Sequence, residues 1–385
     1  MQSGLASRSP GIVVEVVEGK ESLAAFIDAP TKLYEGLAGF QPALFMEQDM
    51  ALSPNKGSFF QHGRARYFLA RRSTEIVGRL SAQIVDDIPL GLPEKTGMFG
   101  CCDARDDAEA VSALFAAAEA WLKEQGCTHA FGPVTLNMNG EPGLLVEGQS
   151  LPRMIMTPWH PAYLGALVEQ AGYARRKDLL NWRLEERPAD NRGFANRIGQ
   201  GALGPTAKLR NLDKKNVARD IRFTCDLYND AWSKNEFFIP LRPIDMQDLE
   251  KSVKPLLPPE ACTFVEIDGE PAGVLVVIPN LFEAFRGLGS KPSPLGWIKL
   301  GWRLLRPRFS SARIILMGVS RRYAGTVKGM AIAITLIEEM IKRRDKYENL
   351  ILEAGWVLED NEALNALLKR AFKPARRMRL YIKKL

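Results

Sequence analysis

At 385 residues the chain is long for one domain and comfortable for two. Its 46% hydrophobic and 25% charged content is that of a globular protein, which excludes a disordered or fibrous chain. The formal charge of +7 is uneven: residues 1–200 carry 20 Lys and Arg against 24 Asp and Glu, and residues 201–385 carry 32 against 21. A basic half beside a mildly acidic one argues against a nucleic-acid coat over the whole molecule and favours one localised anionic partner.

The first strand is expected over Gly11 to Glu18, with helical segments up to Phe40. Ala65 to Arg72 and Ile76 to Val85 read as a hairpin around Ser73-Thr74, and Gly97 to Cys102 as another strand. Asp106-Asp107 then cap a helix whose apolar face is Val111, Leu114, Phe115, Ala118, Trp121 and Leu122, and Gly126 ends it. His129 to Thr135 is the next strand, Ala162 to Ala171 the next helix, and Leu179 to Leu184 a further strand. The stretch from Arg187, with Pro188 and several Gly and Asn, reads as a linker. Beyond it helices are expected over Asn216 to Trp232 and Asp245 to Val253. Strands follow at Cys262 to Ile267 and Gly273 to Ile278, joined by the turn signal Asp268-Gly269. Leu295 to Arg306 is an amphipathic helix with Lys299, Arg303 and Arg306 on one stripe and Trp297, Ile298, Leu304 and Leu305 among the rest. It suits either an anionic membrane surface or a lid packed on its own domain.

The stretch Ala312 to Arg343 organises the carboxyl-terminal half. Ile314-Ile315-Leu316-Met317 is a buried strand by its β-branched run; a turn carries Arg321, Arg322, Gly325, Lys328 and Gly329; then Met330, Ile334, Ile337 and Ile341 recur at helical spacing before Lys342-Arg343-Arg344. Backbone N–H groups and the positive end of a helix dipole at such a turn favour an anion. No acidic residue lies between Glu283 and Glu338, while ten Lys or Arg do. Leu350-Ile351-Leu352 is another strand, a second helix follows Asn361, and Arg379 to Lys383 alternates as a closing strand.

Five cysteines without a C-x-x-C support neither a disulfide framework nor a zinc ribbon, and no metal site is expected. The first residues lack a basic region followed by an apolar core, and no uncharged window reaches roughly 18 apolar residues, so neither a secretory leader nor a membrane span is expected. The expected location is cytoplasmic, free or peripheral on the inner face of the membrane.

Arg322-Tyr323-Ala324-Gly325-Thr326-Val327 resembles the Q/R-x-x-G-x-G/A loop of the GNAT acyl-CoA N-acyltransferases, which holds the CoA pyrophosphate; Val327 departs from the usual Gly or Ala. The order strand, loop, helix, strand, helix, strand is similar to the GNAT core. Leu167 to Tyr173 resembles the pattern that closes many GNAT domains, while Asp103-Ala104-Arg105-Asp106-Asp107 stands where a first phosphate loop should lie and would repel a pyrophosphate. Gly132 to Gly148 (GPVTLNMNGEPGLLVEG), Ser58 to Gly63, Gly78 to Gln83 and Ala231 to Asn235 resemble signatures of a tandem-GNAT family that includes the bacterial ceramide synthases.

The fold so implied is α/β (α+β), two tandem GNAT-like domains, each a mixed twisted sheet flanked by helices. Residues 1–187 form a degenerate domain, 188–204 the linker, and 205–385 the domain that takes acyl-CoA. The resemblance implies transfer of a fatty acyl group from acyl-CoA, the co-substrate, to the amine of a sphingoid base. No permanently bound cofactor is implied. The CoA contacts implied are Met317, Val319, Arg321, Arg322, Gly325, Thr326, Val327, Lys328, Gly329 and Asn361. Glu353 is the first candidate base, its alternative being a strand-end residue facing solvent. Tyr381 is the candidate acid for the leaving thiolate, its alternative a core aromatic. Glu141 and His62 are candidates at the amine site, and Asn139, Asn235, Trp297 and Trp302 are candidate substrate contacts. Transfer to another amine, a non-catalytic acyl-CoA or lipid carrier, and aminoacyl-tRNA-dependent transfer compete with this reading; no nucleic-acid partner is expected under it.

Overall fold

The computed structural model describes residues 11–185, 202–242, 244–245, 258–306, 308–346 and 350–385. Most of the expected linker (188–201) and of the helix expected from Asp245 (246–253) lies outside the described residues. The strands are β1 (Ile12–Val16), β2 (Gly63–Arg72), β3 (Glu75–Val85), β4 (Thr96–Ala104), β5 (His129–Gly132), β6 (Leu144–Glu147), β7 (Ala174–Leu184), β8 (Lys208–Asn211), β9 (Cys262–Ile267), β10 (Glu270–Pro279), β11 (Ser311–Val319), β12 (Ile351–Leu358) and β13 (Lys373–Lys384). The helices used below are α1 (Gly19–Leu33), α2 (Phe45–Leu52), α3 (Ala108–Glu124), α4 (Leu164–Gln170), α5 (Val217–Trp232), α6 (Phe282–Phe285), α7 (Pro294–Leu305), α8 (Val327–Lys346) and α9 (Glu362–Leu368).

Local chemistry explains the element ends. Asp107 accepts from the Ala110 N–H at 3.1 Å and starts α3; Ser293 does the same for Gly296 at 3.2 Å and starts α7, with Pro294 at the first helical position. Asp268 and Gly269 both take positive φ, 56° and 82°, the conformation a two-residue hairpin turn of this hand needs.

The strands form one sheet in the order β1-β2-β3-β4-β5-β13-β7-β12-β11-β10-β9-β8, with β6 paired to β13. Neighbours are antiparallel except at β4–β5 and β11–β12. Each half thus has the same plan: a meander, then a parallel pair bridged by a helix, α3 in one and α8 in the other. The last strand, however, is exchanged. The sequence order puts β13 at the close of the carboxyl-terminal half, but it lies between β5 and β7, and β7 takes the place beside β12.

Buried charge sets this register. Asp178 on β7, nearly inaccessible, meets Arg379 at 2.9 Å and Arg377 at 3.2 Å on β13. One step along, Glu353 on β12 meets Arg376 on β13 at 2.9 Å with both side chains almost wholly buried, and Asn181 on β7 donates to the same oxygen at 3.0 Å. Three strands that come from both halves are tied at one spot. On the faces of β13, Met378 and Leu380 join one core of the amino-terminal half and Tyr381 the other.

Removing one partner of a buried ion pair leaves an uncompensated charge and costs about 3–5 kcal/mol. Arg376→Ala is therefore expected to lower the stability read from urea unfolding by that amount while unfolding remains a single transition, followed by circular dichroism and tryptophan fluorescence together. A split curve in which only one half is weakened would contradict the coupling by strand exchange.

Candidate functional site

β11 and β12 pair only over Ser311–Ile314 and Ile351–Ala354, then part, leaving a notch between Ile315–Val319 on one side and the end of β12 on the other. Gly355 follows the last paired residue with φ +151°, and a Cβ there would stand 2.3 Å from Asn181 Oδ1, so only glycine fits where β12 slips its register against β7. Met317 and Val319 edge the notch and are partly buried.

At the open end of β11 the chain makes a 3₁₀ turn over Arg321–Tyr323 and enters α8. Asp230 of α5 anchors the turn: its carboxylate accepts from the Arg321 N–H at 2.7 Å and from Ser320 Oγ at 3.0 Å. Gly325 takes φ +72°. Thr326 caps the helix, its Oγ1 accepting from the Gly329 N–H at 3.0 Å. The tight approach falls on Gly329, where a Cβ would stand 2.1 Å from Tyr323 O. Val327 turns its side chain to solvent. Arg321, Arg322, Gly325, Thr326 and Lys328 are exposed beside it, and Asn361 caps α9 by accepting from Leu364 N–H at 3.2 Å. The first turn of α8 thus has cations beside its free N–H groups, although the Arg321 guanidinium donates to Ser233 Oγ at 3.2 Å and that of Arg322 lies over the Tyr323 ring.

The corresponding cradle of the amino-terminal half is different. Asp107 both caps α3 and pairs with Arg72 at 2.8 Å, so a carboxylate already stands where an anion would bind. The notch is still there: β4 and β5 pair over Thr96–Met98 and His129–Phe131, and Gly132 then takes φ +157°. It encloses a cavity of about 70 Å³ lined by charged and polar side chains, Glu141, Arg153, His160, Arg79 and Asp103 among them.

Between the two notches lies Arg313, which the run of cations in the sequence would place on the surface. It is buried on β11, because it points from the strand face opposite α8 into the other half. It donates to Ile155 O at 3.2 Å, Thr157 Oγ1 at 3.1 Å and Gly355 O at 3.1 Å. Burial pushes its guanidinium down to about 10, opposed by Glu353. Glu353 itself is no strand end: β12 runs on to Leu358, and the carboxylate is inaccessible. One oxygen takes Arg376 and Asn181, and Oε2 is buried with no partner among the described residues.

The other candidates scatter. Tyr381 goes with β13 into the amino-terminal core, where its hydroxyl meets Glu169 at 3.4 Å and burial raises its pKa; it does not reach the α8 cradle side of the sheet. His62 follows a short 3₁₀ turn and packs edge-on against Phe59, with no described contact to Glu141 or Glu353. Asn139 ties the halves together, accepting from Tyr228 OH at 3.0 Å and donating to Ile239 O at 3.4 Å. Asn235 is exposed behind α5. Trp297 and Trp302 are exposed on α7, away from the notch contacts. Motif and spacing do not single out Arg313, Arg153 or His160. A lone arginine inside an apolar strand run is the one signal available for the first.

Comparison with known proteins fits this geometry. The chain is 37% identical over 362 residues, 93% of each chain, to a protein of Caulobacter vibrioides (strain NA1000 / CB15N) named bacterial ceramide synthase. It is 33% identical over 375 residues, 97% of this chain and 95% of the other, to Protein YghO of Escherichia coli (strain K12). The chain belongs to the tandem-GNAT family that includes the bacterial ceramide synthases. No family model matches it. Among solved structures it is similar to a tandem GNAT protein from the clavulanic acid biosynthesis pathway (TM-score 0.54, 13% identity, 97% of this chain and 98% of that one). A GCN5-related N-acetyltransferase from Sphaerobacter thermophilus aligns over 96% and 95% of the two chains with TM-score 0.51 and 12% identity. These two establish the fold.

In this tandem-GNAT frame His160 is the buried group whose titration is plainest. Its Nδ1 accepts from the Leu145 N–H at 3.1 Å, and burial pushes its pKa down to about 4. Between about pH 6.5 and 4 the unfolded chain takes up a proton that the folded one refuses, so stability is full above that window and falls within it. The loss amounts to about 3 kcal/mol at most. An asparagine in its place would keep an acceptor for Leu145, so His160→Asn is expected to flatten the fall in thermal midpoint between pH 6.5 and 4; an unchanged pH profile would contradict the assignment.

Proposed function

We propose that the protein moves a long fatty acyl group from acyl-CoA to the amine of a sphingoid base, sphinganine or its 3-keto form, as a bacterial ceramide synthase. Similarity to that enzyme over 93% of both chains carries the reading, and the splayed β11–β12 pair ending in an anion cradle supports it.

In this reading the first-turn N–H groups of α8, with Arg321, Arg322 and Lys328, hold the pyrophosphate, and the pantetheine pairs along Met317 and Val319. The amine nitrogen attacks the thioester carbonyl, the C–N bond forms, the C–S bond breaks, and the proton that the nitrogen loses goes to the departing sulfur, so that CoA leaves as its thiol. An amine at neutral pH is mostly protonated, so a carboxylate must accept a proton before attack. Glu141, only partly covered, is the carboxylate open to the amine; Glu353 with Arg313 and Arg376 holds the floor of the notch. A backbone N–H at the notch polarises the carbonyl.

Gly325→Glu puts a carboxylate into the cradle at a backbone angle that disfavours any side chain. It is expected to weaken acyl-CoA binding about 100-fold, measured by calorimetry, and to abolish transfer. Mass spectrometry of products from long-chain acyl-CoA offered with sphinganine, 3-ketosphinganine, a polyamine and an amino acid tests the acceptor. An amide on the polyamine or amino acid alone would replace the lipid acceptor; bound acyl-CoA with no amide at all would leave a carrier.

The lipid acceptor also gives α7 a role, at an anionic membrane surface. Leu300 and Leu304 pack α7 onto Leu44, Ala284 and Phe309. On another face Leu295 (77% exposed), Ile298 (69%), Trp302 (60%) and Leu305 (83%) recur at i, i+3, i+7 and i+10. Lys299 and Arg306 flank that stripe, while Arg303 is turned back to Ala284 O at 2.7 Å. An exposed apolar stripe bordered by cations suits the headgroup region of an anionic leaflet. Among the described residues no helix is long and apolar enough to cross a membrane. Replacing Ile298 and Leu305 together by Glu is expected to cut binding to vesicles containing phosphatidylglycerol at least tenfold in a sedimentation assay. Equal sedimentation of both proteins would end the membrane assignment.

A further inference from the structure

We propose that the notch of the amino-terminal half seats the polar head of the amine substrate, and that Glu141, Arg153 and His160 recognise there an amino-alcohol or amino-ketone that carries no carboxylate. This rests on the acyl-transfer reading and adds to it the side chains that select the acceptor. The cavity of about 70 Å³ has room for an amine, its carbon and one or two neighbouring oxygens, but not for a nucleotide.

Not all of its donors are spent. The Arg153 side chain is nine-tenths buried. Its Nη1 donates to Gln41 O at 2.6 Å, its Nη2 lies 3.8 Å from Glu141 Oε1, and Phe282 covers the guanidinium face at 4.4 Å. Arg153 Nε is nevertheless buried with no partner among the described residues. A buried N–H with nothing to donate to costs about 1–3 kcal/mol, which a bound oxygen would recover. His160 points to the same conclusion. Since its Nδ1 accepts from Leu145, the neutral ring carries its hydrogen on Nε2, for which no acceptor is seen among the described residues. Arg153, with its unpartnered Nε–H, His160 and Glu141 therefore line one small chamber.

Charge balance chooses among ligands. Arg79 and Asp103 neutralise each other at 2.8 Å, Arg153 faces Glu141, and Asp28 at the rim meets Lys291 at 3.1 Å. Glu47 adds a further carboxylate acting on Arg153 and Glu141, so a head with no carboxylate, its amine deprotonated for attack, adds no charge to a site already rich in carboxylates. An amino acid, deprotonated for attack, would bring an extra negative charge into a poorly hydrated site. The chamber also adjoins the other notch. Glu141 acts electrostatically on Arg313, which donates to Gly355 O, and the Arg153 carbonyl accepts from Asn280 at 2.9 Å, whose side chain meets Ser311 on β11. An amine held by Glu141 stands between the two notches with its oxygens turned away from the thioester.

The test is binding to the full-length protein at pH 7.5, with three short-chain probes of equal length: a 2-amino-1,3-diol, the plain alkylamine, and the 2-amino acid. Wild type is expected to bind the aminodiol about tenfold more tightly than the alkylamine, the worth of about one buried hydrogen bond. His160→Asn, which retains an acceptor for Leu145 but lacks the Nε2–H, is expected to erase that preference, and Arg153→Lys to reduce it. Acyl-CoA affinity should be the same in all three proteins. Equal binding of aminodiol and alkylamine by wild type would overturn the proposal, as would a His160→Asn loss that is the same for both. Tightest binding of the amino acid would also overturn it. Product formation is read separately. Amides formed without head selectivity would sink the chamber and spare acyl transfer; selective binding without amides would do the reverse.

Discussion

Two carboxylates buried in the middle of the sheet, Asp178 and Glu353, hold the molecule to its arrangement. Both take arginines from β13, the last strand of the chain, and both sit on strands that come from different halves. A charge without access to water tolerates few geometries, because any slip of one residue would send its arginine to the opposite face. Hydrophobic alternation alone would accept β13 beside β12 or beside β5, since both slots are walled by apolar cores. The ion pairs break that tie. They also make the halves interdependent, because each half of the sheet contains a strand that the sequence order assigns to the other.

The plan shared by the two halves holds two notches with different chemistry. In each half a parallel pair parts after three or four residues, and a glycine with φ near +150° follows the last paired position. What differs is the helix beyond. α8 begins after a loop whose cap is an uncharged threonine and whose neighbours are cations, so its N-terminal field is open to an anion. α3 begins at Asp107, whose own carboxylate fills the equivalent position. One difference at a helix cap thus separates a helix start open to an anion from a closed turn. The same half keeps a cavity in its notch, and polar groups that have no phosphate to meet remain there.

The strand–loop–helix from β11 to α8 is legible in the sequence because each signal is local: a β-branched run, a glycine in a turn, and apolar residues at helical spacing. The hairpins around Ser73 and Asp268 are legible for the same reason. Strand exchange is not. β7 and β13 both read as ordinary alternating strands, and nothing within either segment names its partner. Glu353 reads as a strand end because Gly355 looks like a break; in the sheet that glycine absorbs a register shift and the strand continues. Arg313 reads as one of a run of surface cations because such runs are usually solvated, and its burial depends on a segment, Ile155 to Thr157, more than 150 residues away. Site residues that rest on such long-range contacts, Arg153 and His160 included, leave no trace in spacing.

A lipid-handling enzyme must solve a problem that a water-soluble one does not: its two greasy substrates prefer a bilayer to any cleft of comparable size. The proposed membrane contact of α7 would address this. Its buried face packs against Leu44 of the first half and against Ala284 and Phe309 of the second, so the helix is fixed to both lobes at once. Leu44 immediately precedes α2, and Phe45 and Gln48 of that helix line the amino-terminal cavity. Ser290 and Lys291, in the segment leading into α7, close the rim of the same cavity on Asp28 at 2.8 and 3.1 Å. The exposed stripe and the polar chamber are therefore joined through a few residues of shared packing. If a membrane covers the stripe, a lipid amine need move only its head out of the interface to reach Glu141, while its chain stays in apolar surroundings. Under the proposed membrane contact, the costly step of carrying a long chain through water would be avoided by where the helix is fastened.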